Sequence, residues 1–141
     1  MRHLNRQAAE AMVAAGASAA TDVTGYGLLG HLANLVPAER GLGAEVRLSA
    51  VPVLDGLGEL VAADLFPSGS RRNLQALEGR VDWDGLSELD RLLLCDAQTS
   101  GGLLVAVAPD RASRFEALLA GAPYPATPIG VVTDGPIRVS P

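Results

Sequence analysis

The chain has 141 residues, enough for one domain that buries roughly 70% of its unfolded surface. A formal charge of −5 argues against the basic patch that nucleic acid requires, and 4% aromatics within 48% apolar residues leave the core to Ala, Leu and Val. One cysteine excludes an internal disulfide, no apolar run nears the ~20 residues of a membrane span, and Met1 to Arg6 lacks a secretory signal's apolar core, so a reducing, cytoplasmic setting is expected.

Asn5, a good N-cap, precedes an alanine-rich run that stops at Gly16, which predicts a first helix. Ala17 to Val23 is expected to be extended and to lead into a glycine loop. Leu28, Leu29, Leu32, Leu35 and Val36 recur at helical spacing, closed by Pro37 and Gly41. Glu45 to Leu48 alternates as a half-buried strand does. Leu54, Leu57, Leu60 and Val61 mark another helix, weakened by Gly56 and Gly58. Phe66 to Ser70 reads as a loop, Asn73 to Leu77 as a helical turn, and Leu86 to Leu94 as a helix ending at Asp96.

Leu103 to Ala108 is an unbroken apolar run of strand length, which implies a strand covered on both faces. Pro109 and Asp110 open a helix that Gly121 ends, and Ala122 to Pro128 offers little to bury and reads as a loose loop. Ile129 to Val132 and Ile137 to Val139 are strands around a Thr133–Pro136 turn, the pattern of a hairpin. Leu103–Ala108, Ile129–Val132 and Ile137–Val139 are therefore expected to be neighbours, with the Asp110–Ala120 helix on one face. The class expected is α+β, a mixed β-sheet with packed helices.

The most informative segment is Ala20-Thr21-Asp22-Val23-Thr24-Gly25-Tyr26-Gly27-Leu28-Leu29-Gly30-His31-Leu32. A carboxylate, hydroxyls and glycines ahead of a helix suit phosphate, and an aspartate beside them suits the accompanying magnesium. On residue chemistry alone Asp22 is open to a metal or phosphate role and to capping the turn. Gly25, Gly27 and Gly30 satisfy G-x-G-x-x-G literally, with Glu45 near the distance of a ribose-binding acid. Ala17 to Asp22 makes a poor buried strand, however, and the doubly wound alternation is missing.

Asp96-Ala97-Gln98-Thr99-Ser100-Gly101-Gly102 is a second anion-site candidate, or a tight turn satisfied by Asp96 and Thr99. Arg71 and Arg72 suit phosphate, and equally a solvated helix start. Cys95 ends a leucine run with no nearby cation, as a buried inert thiol would. His3 and His31 are too few and too far apart for zinc, and His31 is expected to pack or cap locally.

The Asp22 segment resembles the ATDVTGFGLLGHL signature of selenophosphate synthetases, the selenide, water dikinases. Ser70-Arg71-Arg72-Asn73 and Leu93-Leu94-Cys95-Asp96-Ala97-Gln98-Thr99-Ser100-Gly101-Gly102-Leu103-Leu104 carry the same resemblance. Tyr26 stands for the commoner phenylalanine, its ring expected to be packed. Ala97 stands for a common proline, and Ser68 and Ser70 stand in the family's PGGTxxN stretch.

The resemblance implies one domain, residues 1–141, corresponding to the carboxy-terminal half of the enzyme and related to the carboxy-terminal domain of aminoimidazole ribonucleotide synthetase-like proteins. The amino-terminal half, with its ATP cradle, reactive cysteine or selenocysteine and partner lysine, is expected to be absent. The resemblance implies that the family makes selenophosphate from selenide and ATP with Mg2+, as a homodimer in its full-length form, without nucleic acid or membrane. Carried over residue by residue, it implies Asp22 as a magnesium ligand and Thr24, Gly25 and Gly27 as nucleotide- or phosphate-binding. It implies no catalytic residue in this chain, which is expected to be inactive alone. A non-catalytic binding module that keeps the fold is the alternative.

Overall fold

The computed structural model describes residues 4–141, so His3 lies outside the described residues. Helix α1 (Arg6–Ala15) ends on Gly16, and α2 (Gly27–Leu35) follows strand β1 (Ala19–Asp22). Strand β2 (Leu42–Arg47), α3 (Leu57–Ala62), α4 (Ser68–Ala76), the two-residue strand β3 (Val81–Asp82) and α5 (Glu88–Leu94) make the middle. Strand β4 (Leu103–Ala106), α6 (Pro109–Leu118), β5 (Gly130–Asp134) and β6 (Ile137–Ser140) complete the α+β fold. None of the helices in the described residues is long and apolar enough to cross a membrane.

Two sheets share the strands. The larger runs β3-β6-β2-β5, with β2 antiparallel to β5 and parallel to β6. The smaller pairs β1 with β4, antiparallel, from Ala19 opposite Ala106 to Asp22 opposite Leu103. Leu29, Leu32, Ala33 and Val36 recur at i, i+3, i+4, i+7 and turn one face of α2 inward. That face belongs to the main core with Ala44 and Val46 of β2, Ile137 and Val139 of β6, and Trp83, Leu86 and Leu94.

Several expectations are corrected. Leu103–Ala106 is not a neighbour of the last two strands: it pairs with β1 and is half-buried along its length rather than covered on both faces. β5 and β6 do not form a hairpin, because β2 lies between them and hydrogen-bonds to both. The turn between them passes over the start of β2, where a Cβ on Gly43 would meet the carbonyls of Gly135 and Pro136. A contiguous pair of apolar runs reads as a hairpin locally, yet an earlier strand inserts between them. Helix α6 packs on α1 rather than on a sheet. The stretch read as a loop to Ser70 already turns helical at Ser68, with Pro67 as its extended N-cap.

Candidate functional site

The end of the small sheet brings two of the motifs together. Beyond Asp22, Val23 donates its amide to Gly102 O (2.9 Å), and Gly101 returns one to Val23 O (3.0 Å). Thr24 O then accepts the amides of both Gln98 and Gly27, each at 3.0 Å. The Asp22–Gly27 loop and the Asp96–Gly102 loop thus form one continuous backbone network. Gly101 is held so close to Val23 that a Cβ would run into its carbonyl oxygen. Asn5, expected to cap α1 with its side chain, instead donates Nδ2 to Gly101 O at 3.0 Å.

His31 fixes the first loop from inside. Its ring is buried, and Nε2 accepts the Thr24 amide at 3.0 Å with Thr24 Oγ1 3.1 Å away. A backbone N–H can only donate, so Nε2 carries no proton and Nδ1 does. Nδ1 faces Thr21 Oγ1 at 3.4 Å, and that hydroxyl donates to Asp22 O at 3.0 Å. His31 is therefore a local cap, as expected of it. His31→Leu is expected to strand the Thr24 amide and lower unfolding free energy by about 1–3 kcal/mol, the cost of an unsatisfied buried donor. Urea denaturation reads this directly; a loss under ~0.5 kcal/mol would mean that solvent replaces the imidazole.

The third motif joins through α4. Ser70 and Asn73, three residues apart on one helix face, both reach the segment around Asp96, and Asn73 reaches the first loop as well. Ser70, wholly buried, donates Oγ to Asp96 Oδ1 (2.7 Å) and accepts the Ala97 amide (3.1 Å). A proline at 97 would lack that amide, so here a hydrogen bond rather than a fixed φ holds the turn. Gln98 Nε2 donates to Asp96 Oδ2 at 3.0 Å. Asn73 Nδ2 donates to Gly25 O (2.8 Å) and Cys95 O (3.0 Å).

The groups that face outward are few. Asp22 is exposed, and no hydrogen bond or ion pair engages its carboxylate among the described residues. Gly25 is exposed with open space around its Cα, and its amide donates to no partner among the described residues. Thr24 and Gly27 differ: the Thr24 amide is spent on His31, and Gly27 is buried with its amide spent on Thr24. A Cβ at Gly27 would lie 2.5 Å from the Cys95 carbonyl carbon, and its φ of 69° also favours glycine.

The remaining candidates fall away from this site. Arg71 is held by Asp64 (2.6 Å) and lies 3.8 Å from Glu88, which supports the helix-surface reading over a phosphate contact. Arg72 is exposed. Tyr26, expected to be packed, is 63% exposed, although its ring tilts against His31 at a centroid distance of 5.5 Å. Cys95 is fully buried, and burial pushes its thiol up to about 12, as an inert core cysteine requires. The dinucleotide reading fails on topology, since β1 is a short antiparallel strand and not the start of a parallel doubly wound sheet.

For magnesium, the donor set is small. Among the described residues no group of three His, Cys, Asp or Glu side chains is arranged to hold a metal ion. An isolated free carboxylate still fits this cation, which takes one or two carboxylates and substrate phosphate oxygens rather than an all-protein cage, and the open Gly25 amide would suit the phosphate. Serine and asparagine roles at 70 and 73 escaped sequence reasoning. Their i, i+3 spacing on one helix was the available signal, masked by the more conspicuous arginines between them.

Comparison with known proteins matches residues 1–140 to the family model of AIR synthase related protein, C-terminal domain. A selenide, water dikinase of Carboxydothermus hydrogenoformans is 42% identical over 134 residues, covering 94% of this chain and 38% of that protein. One from Geobacter is 48% identical over 119 residues, covering 82% and 33%, and one from Yersinia pseudotuberculosis is 38% identical over 138, covering 98% and 39%. The chain thus spans roughly two fifths or less of the curated relatives' length. Among solved structures, a thiamine-monophosphate kinase from Stenotrophomonas maltophilia matches with a TM-score of 0.52 at 23% identity, over 88% of this chain and 31% of that one. That likeness concerns the fold alone.

Proposed function

This chain belongs to the family of AIR synthase related carboxy-terminal domains, and we propose that it is the carboxy-terminal domain of a selenide, water dikinase. In this reading it supplies one wall of a site where ATP and selenide yield selenophosphate. The observation that carries it is the convergence of three separated motifs, at Asp22–Gly27, Ser70–Asn73 and Asp96–Gly102, on one surface.

Asp22 is the residue proposed to meet magnesium, and Gly25 the one whose open amide faces phosphate. Thr24 and Gly27 belong to the same cradle but act by shaping it, because their amides are already committed. Magnesium, when bound with ATP, supplies positive charge against the phosphate oxygens. Positioning and charge neutralisation carry most of phosphoryl-transfer catalysis, and this chain's part in them is a rigid loop pair that carries a free carboxylate.

The domain is proposed to be inactive by itself. The resemblance puts the reactive cysteine or selenocysteine and its lysine in the other half, and the thiol of Cys95 is buried and protonated. Incubated anaerobically with ATP, magnesium and selenide, the chain is expected to form no AMP above a blank. Fused to the amino-terminal part of the Carboxydothermus relative, it is expected to form AMP in a selenide-dependent way. Turnover by the chain alone would sink the incompleteness reading. A folded but inert fusion would favour a binding module that keeps the fold without the chemistry.

A further inference from the structure

We propose that Asn73 is a positioning residue that locks the glycine loop in its phosphate-facing shape by clamping two carbonyls from opposite loops. The inference rests on the functional reading above for its consequence, though not for its geometry. The Asn73 carboxamide has two N–H donors, and both are spent: one on Gly25 O at 2.8 Å, the other on Cys95 O at 3.0 Å. Both partners are acceptors, so the nitrogen must face them and the orientation of the amide is unambiguous.

Gly25 O and Cys95 O belong to separate motifs, 70 positions apart by number, and among the described residues the Asn73 side chain alone bridges these two carbonyls, from α4. The bridge has a stiff abutment. Ser70, one turn earlier on α4, is buried and fastened to Asp96 and the Ala97 amide. Helix α4 therefore holds the second loop with Ser70 and ties the first loop to it with Asn73. Gly27 sits between the two, against the Cys95 and Asp96 carbonyls. With Gly25 O drawn toward α4, the plane of the Gly25–Tyr26 peptide is fixed, and with it the direction of the Tyr26 N–H that follows the open Gly25 amide.

This bond pattern selects asparagine. Aspartate has the shape but not the donors, and it would set a negative charge against two carbonyl oxygens. Loss of the clamp frees the loop without removing any group that meets the nucleotide. The consequence is weaker binding of ATP, in the ground state and the transition state alike, so it appears in KM and leaves kcat nearly unchanged.

The chain as it stands tests the geometry. In Asn73→Ala the amides of Gly27, Gln98 and Gly101 are expected to exchange with deuterium about tenfold faster or more, while those of β2 and β6 keep their rates. Unchanged exchange at those loop amides would overturn the clamp. If that variant does not fold, Asn73→Ser, which keeps one donor, is measured in the same way. In the fusion described above, Asn73→Ala is expected to raise KM for ATP about fivefold or more with kcat within about twofold. A fall in kcat at unchanged KM is what a merely structural loss of active molecules would give, and it would overturn the positioning role. A parent fusion that forms no AMP would count against the functional reading alone, and amide exchange would still decide the clamp.

Discussion

Asp22→Asn in the fusion is expected to fold as the parent does, to lose turnover on the order of 100-fold, and to regain part of it when magnesium is raised. Asparagine keeps the shape of the side chain and its ability to accept a hydrogen bond, so a turn-capping role would survive the change. What it removes is charge, which a hard cation on phosphate oxygens needs. The structure sharpens the contrast, because the Asp22 carboxylate is exposed and engages no partner among the described residues. There is no internal bond whose loss would mimic a functional defect. Its backbone pairs with Leu103 in the small sheet, which the substitution leaves intact. Full activity of the asparagine variant at limiting magnesium would return Asp22 to a plain surface residue. Circular dichroism and thermal melting of the variant check that any loss of turnover is not a loss of fold.

Gly27→Ala is expected to be the most destabilising single change in the site. Two independent penalties coincide there: a left-handed φ of 69° and a Cβ placed 2.5 Å from the Cys95 carbonyl carbon, 2.6 Å from its oxygen and 2.9 Å from Asp96 O. Both obstacles are backbone, which cannot swing aside as a flexible side chain would. The strain alone is worth about 1–3 kcal/mol, and moving the Asp96 loop adds to it, so roughly 3 kcal/mol is expected in total. For a domain of this size that lowers the melting temperature by about 10 °C. Gly25→Ala is the control. No atom lies within 4 Å of its would-be Cβ, so the fold should tolerate it. Equal destabilisation at both positions would mean that the two glycines do not divide structure from contact in this way.

The local elements were largely legible in the sequence. The helical period of Leu28, Leu29, Leu32 and Leu35 carries α2, and the stop at Gly16 matches the end of α1. Leucine and valine spacing is a short-range signal, and neighbours within one helix turn or one strand are set by it. Strand partnership is not. The runs at 103–106, 130–134 and 137–140 look equivalent as sequences, but one joins β1 and the other two flank β2. Which edges meet depends on how α2 and the β2 strand pack, and no window of a few residues contains that information. The two-residue strand at Val81–Asp82 is too short to carry a period at all.

The site divides along the same line. Glycine, aspartate and hydroxyl density by itself marked both loops, because those residue types provide tight turns and polar groups wherever they occur, and the order of strand and helix patterns carried the α+β class. Which of those groups remain open was decided only in three dimensions. Thr24, Gly25 and Gly27 read alike in the chain, yet His31 takes the Thr24 amide, Thr24 takes that of Gly27, and Gly25 keeps its own. Ser70 and Asn73 likewise gain their roles from partners 22 to 48 positions away. A hydrogen-bond donor's availability is a property of what stands opposite it, and that is settled by tertiary packing rather than by residue type.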